Sequence, residues 1–405
     1  MPNRQRAWVV LLAVYLAGIA VALNQMKVPP VMQVLLLDLN IDMATGGWLM
    51  SSFAVAGVVL GLPAALLLNR VGPRPAGLLA LGATVAGSIL GALSTNAAGL
   101  LLGRAVEGLG LGLIGVVAPA VISQWFPPAE RGLPMGIWAS WVPVGSFLIF
   151  NVADGVSGAY GWRGLWWLGT AVAAGALVIY AALVSVPPAA PAAPAPAGAP
   201  DLRLGRWVWH PASWILALIF ATFTFAFTGY GTWSPSYLNT VLGLEMPAAN
   251  FNASLSSLVV IPATIVAGWV LDRVPNRKLI LALAIGASAG LLLWCFRLEN
   301  PAWVAPYFIL LGAVGGFIPT TAFTLAPETM PRPELAGLAL GILSVGQNLG
   351  AVLGAPVIAA LIAGGQWEAG TWPVVGALAL GLGAIWLLRL PAGPGRAPDS
   401  ANAPA

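Results

Sequence analysis

The chain has 405 residues, 59% hydrophobic and only 7% charged, with a formal net charge of +4. A soluble domain carries about 25% charged residues, so a water-facing globular surface is excluded. Scattered Arg residues with no basic stripe exclude nucleic-acid binding, and one Cys and one His exclude a disulfide framework and leave no basis for a metal centre.

What remains is a polytopic membrane protein. Arg4 and Arg6 precede an apolar run as in a signal peptide, but no small-residue cleavage site follows, so this run reads as an uncleaved first span. About 20 apolar residues cross a bilayer core. Breaks at polar, Pro-rich or charged clusters then predict twelve spans, near 7–35, 44–68, 76–93, 98–124, 132–153, 164–185, 212–238, 250–271, 279–296, 302–326, 335–361 and 371–390. An Ala/Pro-rich linker over 186–206 separates an N-terminal bundle, 1–185, from a C-terminal bundle, 207–390, and a tail over 391–405 has a disordered composition. Thirteen of the seventeen Lys and Arg fall on the termini and the even-numbered connections, which predicts both termini cytoplasmic, in a plasma (inner) membrane.

The halves repeat. Asn69-Arg70-Val71-Gly72-Pro73-Arg74 returns 203 residues later as Asp272-Arg273-Val274-Pro275-Asn276-Arg277. Gly112, Gly115 and Pro119 return after 200 residues as Gly312, Gly315 and Pro319, and Gly136-Ile137 through Gly145 returns after 205 as Gly341-Ile342 through Gly350. Two parallel six-helix repeats place a substrate site between them near the midplane.

These residues carry a resemblance to the major facilitator superfamily over nearly the whole chain. The loop after span two, and better the one from Gly268 to Lys278, resembles the family's G-x-x-x-D-R-x-G-R-[RK] motif, with Ala65 and Asn69 departing in the first copy. Arg104-x-x-Glu107-Gly108-x-Gly110-x-Gly112 resembles its span-four motif, Pro143-x-Gly145 part of its span-five motif, and Asn24 to Pro30 resembles the cyanate-permease-like branch, associated with small anions and small polar solutes. The resemblance implies an all-α protein of twelve transmembrane helices in two pseudo-symmetric bundles, with spans one and four lining a central cavity. It also implies conformational gating by the loops holding Asn69, Arg70, Arg74, Asp272, Arg273 and Arg277. Nitrate/nitrite exchangers and monocarboxylate transporters of the family place an Arg in span two or eight, and neither span has one here, which argues against both groups.

Charges within spans are costly and count as functional candidates. Three qualify: Lys27, Arg104 and Glu107. Arg104 and Glu107 share a helix face at i,i+3, and the trio carries one uncompensated positive charge, which suits an anion. Each has a plainer alternative: Lys27 snorkelling to the outer interface, Arg104 bonding backbone carbonyls of span one, Glu107 merely neutralising its neighbours. Glu107 is otherwise the candidate for proton coupling, as the one carboxylate deep in a span.

Asn24, Lys27, Arg104, Trp141, Tyr230, Trp233, Thr320, Gln347 and Asn348 form the expected substrate-binding set. Tyr230, Trp233 and Tyr237 fall on one helical face. Trp141 with Trp138 reads first as helix packing and second as lining the site, Gln347 with Asn348 equally as packing or ligand contact, and Thr320 and Thr321 alternatively as bonding back to their own helix. Trp162, Trp166, Trp207 and Trp209 fit interfacial belts, and His210 an interfacial position. No phosphate-binding loop or catalytic constellation is visible, so no enzyme activity, cofactor or metal is expected.

The chain reads as a monomeric secondary transporter of a small organic or inorganic anion, as symporter or antiporter, with H+ as the candidate coupling ion. A drug or metabolite efflux transporter for apolar or cationic compounds, and a non-transporting membrane sensor, remain the alternatives.

Overall fold

A computed structural model describes residues 4–60, 70–127, 130, 132–185, 207–332 and 335–390. The linker over 186–206 and the tail over 391–405 lie outside the described residues, as does Asn69. The described chain is helical, and no strand occurs among these residues.

Among the described residues, ten segments are long and apolar enough to cross a membrane. One of them, Leu133–Leu183, holds spans five and six, and span nine, Arg277–Leu292, is a helix of 16 residues and falls short of that length. Twelve spans result. The junction inside Leu133–Leu183 is Gly161, at φ 66° and ψ 179°, a region essentially reserved for glycine. Span five therefore continues past its expected end at 153 to Tyr160, where Gly161 reverses the chain into span six. Gly161→Ala is expected to cost ~1–3 kcal/mol, read as a lower thermal-inactivation midpoint in detergent.

Prolines break two other spans. Span one is helical over Arg4–Met26, passes through a 3-10 turn at Pro29–Val31, and resumes over Met32–Asp38. Pro29 and Pro30 cannot donate to the carbonyls of Gln25 and Met26, so the first helix stops there. Span ten divides into Val304–Gly315 and Phe317–Leu325, because Pro319 withholds a donor from the carbonyl of Gly315. Asn96 and Asn276 cap the starts of spans four and nine through bonds to Gly99 N and Leu279 N, at 2.9 and 3.2 Å.

Within the N-terminal half span one packs on spans five and six, span three on span four, and span four on span two. In the C-terminal half span seven packs on eleven and twelve, eight on ten, and nine on twelve. The halves meet along two seams, span two against eleven and span five against eight. Glycines set the spacing: a Cβ on Gly47 would lie 2.8 Å from the backbone of Pro356 across the first seam, and one on Gly108 2.2 Å from the carbonyl oxygen of Phe53.

The described ends, Arg4 and Leu390, lie at one face of the bundle, here the terminal face, and the Gly161 reversal lies at the opposite, distal face. Among the described residues, several hydrogen bonds join the halves toward the distal face. Asn250 donates to Asp154 Oδ2 at 2.9 Å and to the carbonyl of Pro30 at 3.2 Å. Gln33 donates to Thr240 Oγ1 at 2.8 Å, and Asn151 to Ser254 Oγ at 3.1 Å.

Candidate functional site

Span four brings Arg104 and Glu107 to one face, opposite the break in span one where Lys27 sits. Glu107 bridges the two cations: Lys27 Nζ donates to Oε1 at 2.5 Å and Arg104 Nη1 to Oε2 at 2.6 Å, with all three side chains fully buried. Lys27 uses its other two donors on Asn24 Oδ1 and Ser88 Oγ, each at 2.9 Å. Its ammonium also lies 4.6 Å from the ring centre of Trp166. Because Ser88 and Trp166 belong to spans three and six, Lys27 points into the interior of the N-terminal half and reaches no interface.

Arg104 serves the broken helix. Its Nη2 donates to Gln25 O at 2.9 Å, replacing the donor that Pro29 lacks, and Nη1 and Nε donate to Asn24 O and Leu49 O at 2.6 and 2.9 Å. The guanidinium stacks 4.4 Å from the ring of Phe53. This is the backbone role left open for it above. The result is a fully buried, hydrogen-bonded cluster of two cations and one carboxylate, with a net charge of +1.

The aromatic face of span seven turns into the C-terminal half. Tyr230 sits among Phe296, Tyr307 and Phe308. Trp233 Nε1 donates to Ala355 O at 3.0 Å and Tyr237 OH to Leu298 O at 2.8 Å, and all three rings are buried. Thr320 and Thr321 donate to Gly316 O and Phe317 O one turn back, at 2.9 and 2.6 Å. Asn348 bonds to Ser344 O at 2.8 Å and fills the space over Gly57 on the seam with span two. Its neighbour Gln347 is half-buried. Trp138 and Trp141 stack with ring centres 5.0 Å apart, Trp138 buried against Gly18 and Trp141 half-buried.

The loop residues bond within their own halves. Arg74 donates to Ala181 O at 2.7 Å, Arg273 to Trp269 O at 3.0 Å, and Arg277 pairs with Glu328. Arg70 and Asp272 are exposed.

Two tryptophans correct the interfacial expectation. Trp166 is fully buried beneath the Lys27 ammonium, and Trp162 is buried with its Nε1 donating to Asp38 Oδ2 at 2.6 Å. Charged and acceptor partners draw both rings inward. Trp209 is exposed, as an interfacial residue would be. Sequence reasoning missed Ser88 and Trp166 as members of the cluster: one serine and one tryptophan in apolar helices carry no signal until the spans are packed.

The sequence profile of the Major Facilitator Superfamily matches residues 14–337 and 247–405. The chain is 26% identical over 417 residues to the uncharacterized MFS-type transporter Rv1250 of Mycobacterium tuberculosis (strain ATCC 25618 / H37Rv), covering 88% of this chain and 70% of that protein. It is 25% identical over 334 residues to the probable nitrate/nitrite transporter NarK2 of the same organism, covering 77% and 78%. Among solved structures, a bacterial homologue of the human lysosomal transporter Spinster, in an inward-facing and occupied conformation, superposes with a TM-score of 0.77 at 16% identity, over 96% of this chain and 97% of that one. At that identity the likeness is one of fold.

Proposed function

The chain belongs to the Major Facilitator Superfamily of membrane transporters, and from that premise we propose that it carries a small anion across the membrane by secondary, alternating-access transport. The observation that carries this reading is the uncompensated positive charge of the Lys27–Glu107–Arg104 cluster, buried in a medium that offers no counter-ion. At a separation of ~8 Å and an effective dielectric of ~20, one such charge is worth ~2 kcal/mol to an anion, roughly thirtyfold in affinity. Because the donors of Lys27 are engaged, the attraction acts through the field. Direct contacts fall to half-exposed groups on the spans that line the seams and on span ten, with Gln347 and Thr320 as polar contacts and Trp141 as a wall. The similarity to a probable nitrate/nitrite transporter supports a small-anion cargo.

The bundles 1–185 and 207–390 are the rocking units, joined through 186–206. The Lys/Arg distribution puts the terminal face in the cytoplasm. The bonds of Asn250, Gln33 and Asn151 then join the halves toward the outer side.

The test is uptake of labelled acetate, formate and nitrate into proteoliposomes, wild type beside Lys27→Met, with and without a pH gradient. Uptake of at least one anion, reduced at least tenfold at subsaturating concentration in the variant, is expected. A second reading, transport of apolar solutes, is favoured by the Trp138–Trp141 stack and the packed Phe220, Phe223 and Phe227 rings. Carriage of apolar or cationic dyes with no anion uptake would establish that reading and sink the first.

A further inference from the structure

We propose that Lys27, and not Glu107, is the group that binds and releases the coupling proton, and that proton and anion travel together because each keeps the other's buried charge neutralised. The proposal rests on the anion-transport reading above and assigns its coupling residue.

The first argument is the charge count. The cluster holds +1 with no solvent contact. Protonating Glu107 would leave two bare cations side by side, whereas removing a proton from Lys27 leaves the neutral Arg104–Glu107 pair. A buried ion needs a partner or must neutralise, so only the second change relieves the cluster. An anion bound nearby relieves it equally well and leaves Lys27 protonated.

Hydrogen bonding leads to the same group. Glu107 Oε1 faces the Lys27 ammonium and Oε2 faces the Arg104 guanidinium, both donors alone. A proton on either oxygen would neutralise the acceptor that both donors share. The partners of Lys27, by contrast, suit both of its states. When the N–H bond breaks, the electron pair stays on Nζ and the proton leaves to bulk water at the stage of the cycle that opens the cluster to it. The amine still donates to Glu107 Oε1 and Asn24 Oδ1, and its lone pair accepts from the Ser88 hydroxyl, 2.9 Å away, which turns from the Trp166 carbonyl, 2.7 Å away, to Nζ and leaves that carbonyl to the Thr170 hydroxyl at 2.9 Å. All three contacts of Nζ survive, at the cost of the Ser88 bond to the Trp166 carbonyl.

The groups facing the ammonium are Glu107 and Arg104 from span four, Ser88 from span three, Trp166 from span six and Asn24 from its own span. Leu49 and Phe53 of span two reach only Arg104. Glu107 and Arg104 are the titratable members. The repeat-related positions in the other half, 203 residues after Lys27 and 200 after Glu107, are Tyr230 and Tyr307, their rings 6.1 Å apart and uncharged. Proton coupling therefore belongs to the N-terminal half.

Lys27 and Lys278 are the two lysines of the chain, which makes a direct test practical. The full chain, labelled with nitrogen-15 at lysine Nζ and carrying Lys278→Arg, is placed in lipid nanodiscs and followed by NMR; the resonance is assigned by its loss in Lys27→Gln. As pH rises over the range in which the protein stays folded, the resonance is expected to complete its shift from the ammonium to the amine position. Acetate or nitrate added at the midpoint is expected to return it toward ammonium. A resonance that stays ammonium throughout, or one that titrates but ignores both anions, overturns the proposal. Anion uptake by a protein of the first kind would leave the transport reading standing. A titrating Lys27 in a protein that moves only apolar or cationic solutes would sink that reading instead.

Discussion

Glu107→Gln is expected to destabilise the N-terminal half by ~3–5 kcal/mol, the cost of leaving buried charges without their partner. The substitution changes no volume, yet it turns a +1 cluster into a +2 cluster in which Lys27 and Arg104 face a neutral amide. Thermal inactivation in detergent, followed by size-exclusion chromatography, reads the effect directly. Lys27→Met is expected to behave in the opposite way, within ~1 kcal/mol of wild type, because it leaves the Arg104–Glu107 pair neutral and intact. Combining the two restores a net +1, so the double variant should be more stable than Glu107→Gln alone. A Glu107→Gln protein as stable as wild type would mean that the cluster is neither dry nor coupled in the way the distances of 2.5 and 2.6 Å imply.

Arg104→Leu is expected to cost ~2–5 kcal/mol by a different route, since each buried carbonyl left without a donor costs about 1–3 kcal/mol. Gln25 O depends on Arg104 because the residue four positions later is Pro29, and Leu49 O and Asn24 O also lose their Arg104 donor. Arg104→Lys should recover little of this loss. A single ammonium cannot reach Asn24 O, Gln25 O, Leu49 O and Glu107 Oε2 at once, whereas a planar guanidinium presents its donors in a fixed fork. Measured together, the two substitutions separate charge from geometry: rescue by lysine would show that the charge alone matters. The same comparison in the uptake assay should show both variants losing transport, because a span one released at its break no longer holds Lys27 against Glu107.

The transmembrane character, the number of spans and the internal repeat were legible in the sequence because each rests on a pattern close along the chain. Hydropathy runs mark helices that must satisfy their own backbone bonds in lipid, and the repeats of Asn69–Arg74 in Asp272–Arg277 and of Pro119 in Pro319 are matters of spacing. The importance of Lys27, Arg104 and Glu107 was legible for a related reason: three charges in otherwise apolar helices stand out on cost alone. The end of span five was misread because a lone glycine in a helical pattern gives no sign that its φ is positive.

What the three charges do was decided by tertiary structure. Along the chain Lys27 and Glu107 are 80 residues apart, and nothing local shows that they meet at 2.5 Å, or that Ser88 and Trp166 complete the enclosure from spans three and six. The same holds for Tyr230, Trp233 and Tyr237, which share one face by periodicity alone. Which neighbour that face meets depends on how span seven is rotated against spans ten and eleven, and the packing turns it into its own half. Composition and periodicity by themselves determined that this protein spans the membrane as two related bundles, because those properties follow from the cost of bare backbone and charge in lipid. Which polar groups face each other follows from rotation and depth of packed helices, set by contacts such as Gly108 on Phe53 and Gly47 on Pro356, and only the folded arrangement specifies it.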